Sequence, residues 1–244
     1  MRTIYLNEGG QMKRIGVVLV VSLCIVQIAC YAAEKEKGLV AYWSFDEGKG
    51  SRAKDLSGNG LDIDIGSCEW TKGKVNGALL FNGVDSIIPI DGGEEKLRMD
   101  KAFTIEAWVK LNDLEGYQEI FNCNQYFLRK DNPAEGDKFS IFLKTPDGSP
   151  EPRAQAKDPC EVDKWYFVAA TWDGKVAAIY VNGVKSGQSN RAAPLTDEMV
   201  TPTIGGGEQT GVSGNCWNGI IDELKIYNRC LTADEIKAHF TAVK

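Results

Sequence analysis

Histidine is almost absent from this sequence, and its scarcity excludes several kinds of active site. His239 is the only histidine in 244 residues, and it lies near the C-terminus beside Phe240. A zinc site rich in histidine is therefore excluded, and no Cys-x-x-Cys motif offers a thiolate alternative. A catalytic triad or a Cys-His pair would depend on this one imidazole, and no nucleophile motif accompanies it. We expect His239 to be a packed or solvated helical residue.

Clusters of basic residues are also missing, which bears on the choice of partner. The formal net charge is −6, and no cluster of Lys and Arg offsets it in the chain after residue 32. Nucleic acids and anionic membranes attract proteins through Lys and Arg side chains that neutralise phosphate. The composition therefore predicts that nucleic acid is not a partner.

The N-terminus has the pattern of an export signal. A basic pair precedes an almost unbroken apolar run from Ile15 to Ala29, and small residues follow. Such a run is too short for a transmembrane helix and is typical of a secretory signal peptide. We assign residues 1–32 to the signal, and we expect no transmembrane helix in the mature chain. Because residues 1–11 are polar, we expect translation to begin at Met12.

Two routes of signal processing are open. Small residues at positions 30–32 allow simple cleavage after Ala32. Alternatively, Ile28-Ala29-Cys30 resembles a bacterial lipobox, which would place a lipid anchor on Cys30. Gln27 occupies the position where a lipobox usually has Leu, and this favours simple cleavage. Either route predicts a secreted, periplasmic or cell-surface protein.

Export would permit disulfide bonds. The cysteines after the signal are odd in number, so at least one stays unpaired; they are Cys68, Cys123, Cys160, Cys216 and Cys230. Cys216 and Cys230 flank a predicted strand that spans over ~30 Å, whereas a disulfide needs Cα atoms within about 7 Å, so we expect no bond between them. We favour Cys123 with Cys160 and Cys68 with Cys216. Five buried free thiols are the alternative.

Turn motifs are abundant, and they predict an all-β fold. The chain has 26 glycines, and Asn-Gly and Asp-Gly pairs recur along it. Many tight turns between short apolar runs favour antiparallel sheets. The clearest case is Trp165–Gly187, where Asp-Gly and Asn-Gly separate three runs rich in aromatic and β-branched residues. Both faces of its first run, residues 165–172, are apolar, so we expect a central strand that is covered on both sides.

The length suits one large domain over residues 38–244, after a short flexible lead at 33–37. At the C-terminus the pattern changes to that of a helix. Thr232 and Glu235 have the spacing of a capping box, and Ile236 begins the apolar face. The pattern predicts a short helix over 233–242, which we expect to plug an edge of the β-structure.

Ordered motifs along this domain resemble those of a known family. They are G-L-V-A-Y-W-S-F-D-E-G at 38–48, G-A-L-L-F-N-G at 77–83, F-T-I-E-A-W-V-K at 103–110, W-Y-F-V-A-A-T-W-D-G at 165–174 and G-I-I-D-E-L-K-I-Y-N-R at 219–229. The set is similar to the laminin-G-like jelly-roll domains of the concanavalin A-like lectin/glucanase superfamily. The resemblance implies a two-sheet antiparallel jelly-roll sandwich with a short C-terminal helix. It implies less about activity, because the fold carries lectins, adhesion modules and glycoside hydrolases.

Oxygen-bearing side chains ahead of a glycine predict a calcium loop. Asp55, Ser57 and Asn59 occupy alternate positions before Gly60, a pattern that wraps a hard cation. A further ligand must come from elsewhere, and the family resemblance implies Asp222. We therefore predict a structural Ca²⁺ held by Asp55, Ser57, Asn59 and Asp222. The alternative is an Asx-turn in which Asp55 and Asn59 bond to their own backbone.

Paired carboxylates are the remaining catalytic option. Glycosidases need two carboxyl groups roughly 5 to 10 Å apart. The resemblance implies an E-x-D-x-x-E run on one strand in the retaining glucanases, and this chain has none. Asp222 and Glu223 are adjacent, so an ordinary strand would point them to opposite faces. We predict that the chain is not an enzyme.

Sugar binding needs aromatic rings with polar partners, and such pairs predict the ligand site. The candidates are Glu106, Trp108, Tyr117, Tyr126 and Tyr180. The predicted function is an exported, non-catalytic module for carbohydrate binding or adhesion, with a glycan or another cell-surface ligand as partner. One alternative is a structural or protein-interaction module without sugar affinity. Another is a glycoside hydrolase or polysaccharide lyase of the same fold.

Overall fold

A computed structural model of the protein describes residues 36–207 and 215–243. They belong to one compact unit, Lys35–Lys244. The predicted signal peptide, with its start at Met12 and the lipid site at Cys30, lies outside the described residues. Within the described ranges, no helix is long and apolar enough to cross a membrane.

Short strands are the main regular structure of the described chain. In chain order they are β1 Leu39–Trp43, β2 Arg52–Ala53, β3 Ile63–Asp64, β4 Glu69–Lys72, β5 Gly77–Asn82, β6 Ile88–Pro89, β7 Phe103–Leu111, β8 Gln118–Asn122, β9 Tyr126–Lys130, β10 Phe139–Leu143, β11 Ala154–Gln155, β12 Trp165–Trp172, β13 Val176–Val181, β14 Val184–Asn190, β15 Thr203–Ile204 and β16 Asn218–Tyr227. A single 3-10 turn covers Pro133–Glu135, and the helix α1 covers Ala233–Ala242.

Two antiparallel sheets pack as a sandwich, which confirms the predicted all-β jelly roll. The large sheet has the strand order β14-β13-β12-β7-β16-β5-β4, and β1 also pairs with β16. The small sheet has the order β11-β10-β9-β8-β15-β6, and β2 with β3 forms a separate ribbon. The strand pairings described in both sheets are antiparallel. This topology places β7 and β16 at the centre of the large sheet.

The meander predicted at 165–187 is confirmed as β12, β13 and β14. Asn182 and Gly183, between β13 and β14, have φ values of 52° and 76°, as a tight two-residue hairpin requires. On the side away from β13, β12 pairs with β7, with Phe167 opposite Trp108. The meander is therefore continuous with the centre of the large sheet.

Alternation along β12 supplies two hydrophobic cores. Val168 and Trp172 point into the sandwich against the small sheet. Phe167 lies on the outer face of the large sheet, where Ile236 and Phe240 of α1 cover it. The helix therefore lies across that outer face, and the prediction that it plugs an edge was wrong. An apolar face on the outside of the sheet requires a cover, because its exposure to water is unfavourable.

The start of α1 is built as the sequence predicts. The Thr232 hydroxyl accepts a hydrogen bond from the Glu235 amide at 3.2 Å, and the Glu235 carboxylate accepts from the Thr232 amide at 2.8 Å. These two bonds complete the capping box. Arg229 also pairs with Glu235 at 2.8 Å, so the first turn is tied to the chain that leaves β16.

All five described cysteines are free, which corrects the disulfide prediction. Neither Cys123 with Cys160 nor Cys68 with Cys216 forms a bond. The thiols of Cys123, Cys160 and Cys216 each donate to a different backbone carbonyl instead. Burial raises the pKa of Cys68, Cys123 and Cys160 to about 12, so these thiols stay protonated and unreactive.

Shortening Ile236 should destabilise the protein by detaching α1 from the sheet. Ile236 is fully buried in the outer core, so Ile236→Ala leaves a cavity that we expect to cost about 2 to 4 kcal/mol of unfolding free energy. Urea denaturation followed by tryptophan fluorescence measures this change. Lys237→Ala, on the exposed side of the same helix, is the control, with an expected change within about 0.5 kcal/mol. Equal stability of the two variants would contradict the docking of α1.

Candidate functional site

A polar cleft of about 290 Å³ lies where the β7–β8 loop meets the start of β16. Its described lining is Asp113, Glu115, Gly116, Tyr117, Gln118 and Asn218, with Gly83 and Cys216 at one side. The cleft thus combines one aromatic ring with carboxylate and amide groups. Such groups exchange hydrogen bonds with hydroxyls, and an aromatic face packs against the C–H face of a sugar ring.

Asp113 organises the polar side of the cleft. Its Oδ1 accepts from the Glu115 amide at 2.9 Å and from Gln118 Nε2 at 2.8 Å, and its Oδ2 accepts from Asn218 Nδ2. The backbone amide of Asn218 donates in turn to Gln118 Oε1 at 2.9 Å. The bonds tie the loop to β8 and β16, so the polar groups are held in a set arrangement.

Tyr117, one of the predicted ligand residues, forms the aromatic side of the cleft. It is half-buried, its hydroxyl donates to Glu135, and the Arg129 guanidinium lies 4.0 Å from its ring centroid. The hydrogen bond to Glu135, with burial as a smaller cause, raises the pKa of Tyr117. Arg129 is itself paired with Asp131 at 3.0 Å. The ring is therefore fixed in orientation by contacts outside the cleft.

The other four predicted ligand residues are not brought together with Tyr117. Tyr126 lies in the sandwich core, where its hydroxyl donates to a backbone carbonyl at 2.6 Å. Trp108 and Tyr180 lie in the outer core with α1, and Glu106 is 1% exposed. A sugar platform needs an accessible ring face, so this burial corrects their assignment as binding residues. The sequence pattern could not separate these rings from Tyr117, because both cores use aromatic residues.

Glu106 belongs to a buried network around the only histidine. Its carboxylate oxygens lie 2.9 and 3.0 Å from His239 Nδ1. The Tyr227 hydroxyl donates to Glu106 Oε1 at 3.3 Å. Glu36 completes the network, 3.4 Å from His239 Nε2 and 2.8 Å from the Tyr227 hydroxyl. The hydrogen bond with Glu106 raises the pKa of His239, and burial opposes it. This network joins α1 to β7, β16 and the segment before β1.

The side chains of the predicted calcium loop, Asp55, Ser57 and Asn59, form hydrogen bonds with backbone groups. Asp55 Oδ1 accepts from the amides of Tyr42 at 3.2 Å and Ser57 at 2.9 Å, and Oδ2 accepts from a third amide at 3.0 Å. The Ser57 hydroxyl and the Asn59 side-chain amide both donate to the Val40 carbonyl, at 2.9 and 2.7 Å. The bond from the Ser57 amide to Asp55 is the Asx-turn of the alternative, whereas the Asn59 side chain bonds to β1 instead of its own turn.

Asp222, the fourth predicted ligand, is only partly hydrogen-bonded by the residues that the structure describes. The side chain is fully buried, and Oδ2 accepts from the Val75 amide at 2.9 Å, while Oδ1 has no hydrogen-bond partner among the described residues. Burial raises the pKa of Asp222 to about 7, and the charges of Glu223 and Asp46 add to the rise. An unfilled buried carboxylate oxygen beside other acidic groups fits a hard cation. No group of three or more His, Cys, Asp or Glu in the described chain has the arrangement of a metal site.

A β-bulge places Asp222 and Glu223 on the same side of the sheet. Asp222 lies opposite Trp108 and Lys225 lies opposite Glu106, so β16 carries one extra residue here. Glu223 has a φ of 53°. Together with Trp108 and His239 it lines a cavity between α1 and the outer face of the large sheet. The prediction that the two acids point to opposite faces was wrong, because the bulge interrupts the alternation of the strand.

The sandwich is shared with a known family. The family model described as Laminin_G_3, concanavalin A-like lectin/glucanases superfamily, matches residues 82–237. The chain belongs to this superfamily. The match confirms the resemblance drawn from the motifs, and it includes the loop that carries Tyr117. A comparison with curated proteins gives no significant match.

Solved structures with this fold include proteins in complex with carbohydrate. Trypanosoma rangeli sialidase in complex with sialic acid is 22% identical, with a TM-score of 0.62, over 83% of this chain and 32% of that one. Domain 4 of an extracellular GH43 arabinanase from Geobacillus stearothermophilus, in complex with arabinotriose, is 22% identical, with a TM-score of 0.61, over 82% and 97%. The binding domain of botulinum neurotoxin serotype G is 18% identical, with a TM-score of 0.61, over 84% and 51%. This chain spans about a third of the sialidase, and identities this low show the fold alone.

Replacing His239 should remove a pH-dependent part of the stability. Its pKa is raised in the folded protein, so its contribution is complete below the ordinary value of 6.5 and is lost as pH rises through the folded value. Between about pH 6 and about pH 9, we expect the melting temperature of the wild type to fall more steeply than that of His239→Gln. Lys237→Gln is the control on the same helix. If the melting temperatures of the wild type and His239→Gln fell equally steeply with pH, this role of His239 would be contradicted.

Calcium binding stays a prediction, and Asp222 provides its test. Because the pKa of Asp222 is raised in the folded protein, its protonated form contributes stability at a pH below the ordinary aspartate pKa of 3.8. That contribution is lost as the pH rises toward about 7. Bound Ca²⁺ would favour the ionised carboxylate, so at about pH 8 we expect added Ca²⁺ to raise the melting temperature and EDTA to lower it. Asp222→Asn should abolish both responses.

Two further variants separate the two halves of the predicted metal site. Asp55→Asn should lower the melting temperature by weakening the turn, while the response to Ca²⁺ persists. Asp91→Asn, at an exposed position, is the matched control. If neither EDTA nor Ca²⁺ changed the melting temperature of the wild type, the prediction of calcium binding would be wrong.

Proposed function

We propose that this chain is an exported, non-catalytic module that binds a glycan in the Tyr117 cleft. The observation that carries the proposal is the cleft, in which a fixed aromatic ring faces a set of bonded carboxylate and amide groups. Asp113, Gln118 and Asn218 hold one another in place, so ordering them costs little when a ligand binds. Tyr117 adds a large, rigid surface with one polar tip.

The solved relatives support a glycan as the class of ligand. Domain 4 of the arabinanase, which this chain matches over almost its whole length, was solved with arabinotriose. The sialidase was solved with sialic acid. Both contain the sandwich fold, and the arabinotriose complex, whose chain is matched almost completely, favours carbohydrate over an unrelated ligand class for this chain.

The non-catalytic part of the proposal rests on the residues that catalysis would need. The only histidine is engaged with Glu106 beneath α1 and does not line the Tyr117 cleft. The sequence also lacks the E-x-D-x-x-E run that the family resemblance leads us to look for. Export rests on the N-terminal pattern of residues 1–32.

Removing the aromatic ring should abolish most of the binding. On an oligosaccharide array, Tyr117→Ala should weaken binding by about 5- to 30-fold, because that is the effect of a lost stacking contact of ~1 to 2 kcal/mol. Tyr117→Phe keeps the ring but loses the bond to Glu135, so we expect an intermediate loss. Arg98→Ala removes an exposed arginine outside the cleft lining and serves as the control.

Two outcomes would contradict the proposal. Binding that is unaffected by Tyr117→Ala would place the glycan elsewhere, and the absence of binding to any oligosaccharide would reject glycan binding. Incubation with pooled polysaccharides tests the non-catalytic part separately. Reproducible release of reducing ends by the wild type would show that the chain is an enzyme.

A further inference from the structure

The charges and hydrogen-bond groups of the Tyr117 cleft bear on the kind of glycan it accepts. We infer that the cleft selects neutral or amine-bearing sugars and rejects sugars that carry carboxylate or sulfate. The inference rests on the proposed function, and it assigns a ligand class to the same site. It is carried by two observations, an uncompensated negative charge and an excess of unfilled acceptors.

The negative charge of the cleft has no cationic counterpart in its lining. Asp113 and Glu115 are the charged residues of the described lining, which contains no Lys, Arg or His. The donors that Asp113 accepts from are uncharged amides of Glu115, Gln118 and Asn218, which leave its full charge in place. Glu115 is exposed and forms no ion pair among the described residues. An anionic sugar would therefore meet like charge.

The hydrogen-bond groups point the same way. The Gln118 amide nitrogen already donates to the Asp113 carboxylate at 2.8 Å and to the Asp113 and Glu115 carbonyls at 3.3 and 3.2 Å. Asn218 Nδ2 donates to Asp113. An ionised carboxylate has about four acceptor sites, so Asp113 and Glu115 together keep unfilled ones. A ligand must supply donors here, which hydroxyl and ammonium groups can do and carboxylate or sulfate groups cannot.

The cation that contacts Tyr117 does not offset this charge. Arg129 packs on the ring at 4.0 Å, but its side chain is 10% exposed and pairs with Asp131 at 3.0 Å and Glu135 at 3.8 Å. The Tyr117 hydroxyl is likewise used on Glu135. Of the sugars bound by the solved relatives, the cleft therefore suits neutral arabinotriose better than anionic sialic acid.

Matched sugars test the inference by isothermal titration calorimetry. The pairs are galactotriose with trigalacturonate, lactose with sialyllactose, and cellotriose with the glucosamine trimer. We expect each anionic member to bind about tenfold more weakly than its neutral partner, and the amine-bearing trimer to bind at least as tightly as cellotriose. Raising the salt from about 0.05 M to about 0.5 M should narrow these ratios, because salt screens exposed charges.

Variants separate the charge from the site. Glu115→Gln should lower the ratio of the affinity for a neutral sugar to that for its anionic partner several-fold. Glu95 is an exposed acid outside the lining, so Glu95→Gln should leave this ratio unchanged. Trigalacturonate or sialyllactose that binds as tightly as its neutral partner, and loses that binding in Tyr117→Ala, would overturn the inference alone. Sugar binding that Tyr117→Ala does not weaken would overturn the proposed function, and the inference with it.

Discussion

The centre of the large sheet is apolar on both faces, and the rest of the structure depends on covering both. Burying apolar area contributes about 25 cal/mol per Å², so neither face of β7 and β12 can stay open to water without a large loss of stability. The small sheet covers the inner face, and α1 covers the outer one. This arrangement commits the aromatic residues of the central strands to packing. The proposed glycan site accordingly lies on a loop at the rim of the sandwich, where Tyr117 is half-buried.

Covering the outer face also explains the polar network beneath α1. Glu106 alternates onto that face between Thr104 and Trp108, and α1 then buries it. A buried carboxylate requires partners, and His239 and Tyr227 supply them. The need to compensate a buried strand carboxylate thus accounts for the position of the one histidine of the chain.

Local patterns were predictable from the sequence, and contacts distant in the chain were not. The 165–187 meander and the capping box at Thr232 depend on a few neighbouring residues, so turn and cap chemistry identify them. The His239–Glu106 contact joins residues 133 positions apart, and no local pattern encodes it. The β16 bulge was missed for a similar reason, since Glu223 is not a residue type that marks a positive φ. Tyr117 was among the predicted ligand residues, but Asn218 was not, because Asn218 reaches Asp113 across 105 positions.

The same distinction separates the two halves of the predicted calcium site. Spacing correctly indicated that Asp55, Ser57 and Asn59 form one compact loop, yet spacing cannot tell ligands from turn formers, because both need oxygen atoms near backbone amides. What distinguishes them is whether an oxygen is left unfilled after folding. Asp55 has three amide donors, whereas Asp222 keeps a buried oxygen that has no partner in the described part of the chain. If the predicted Ca²⁺ binds, we therefore expect it at the unfilled acceptor of Asp222 more than at the motif, and by the same reasoning the unfilled acceptors of the proposed Tyr117 site favour a ligand that brings donors.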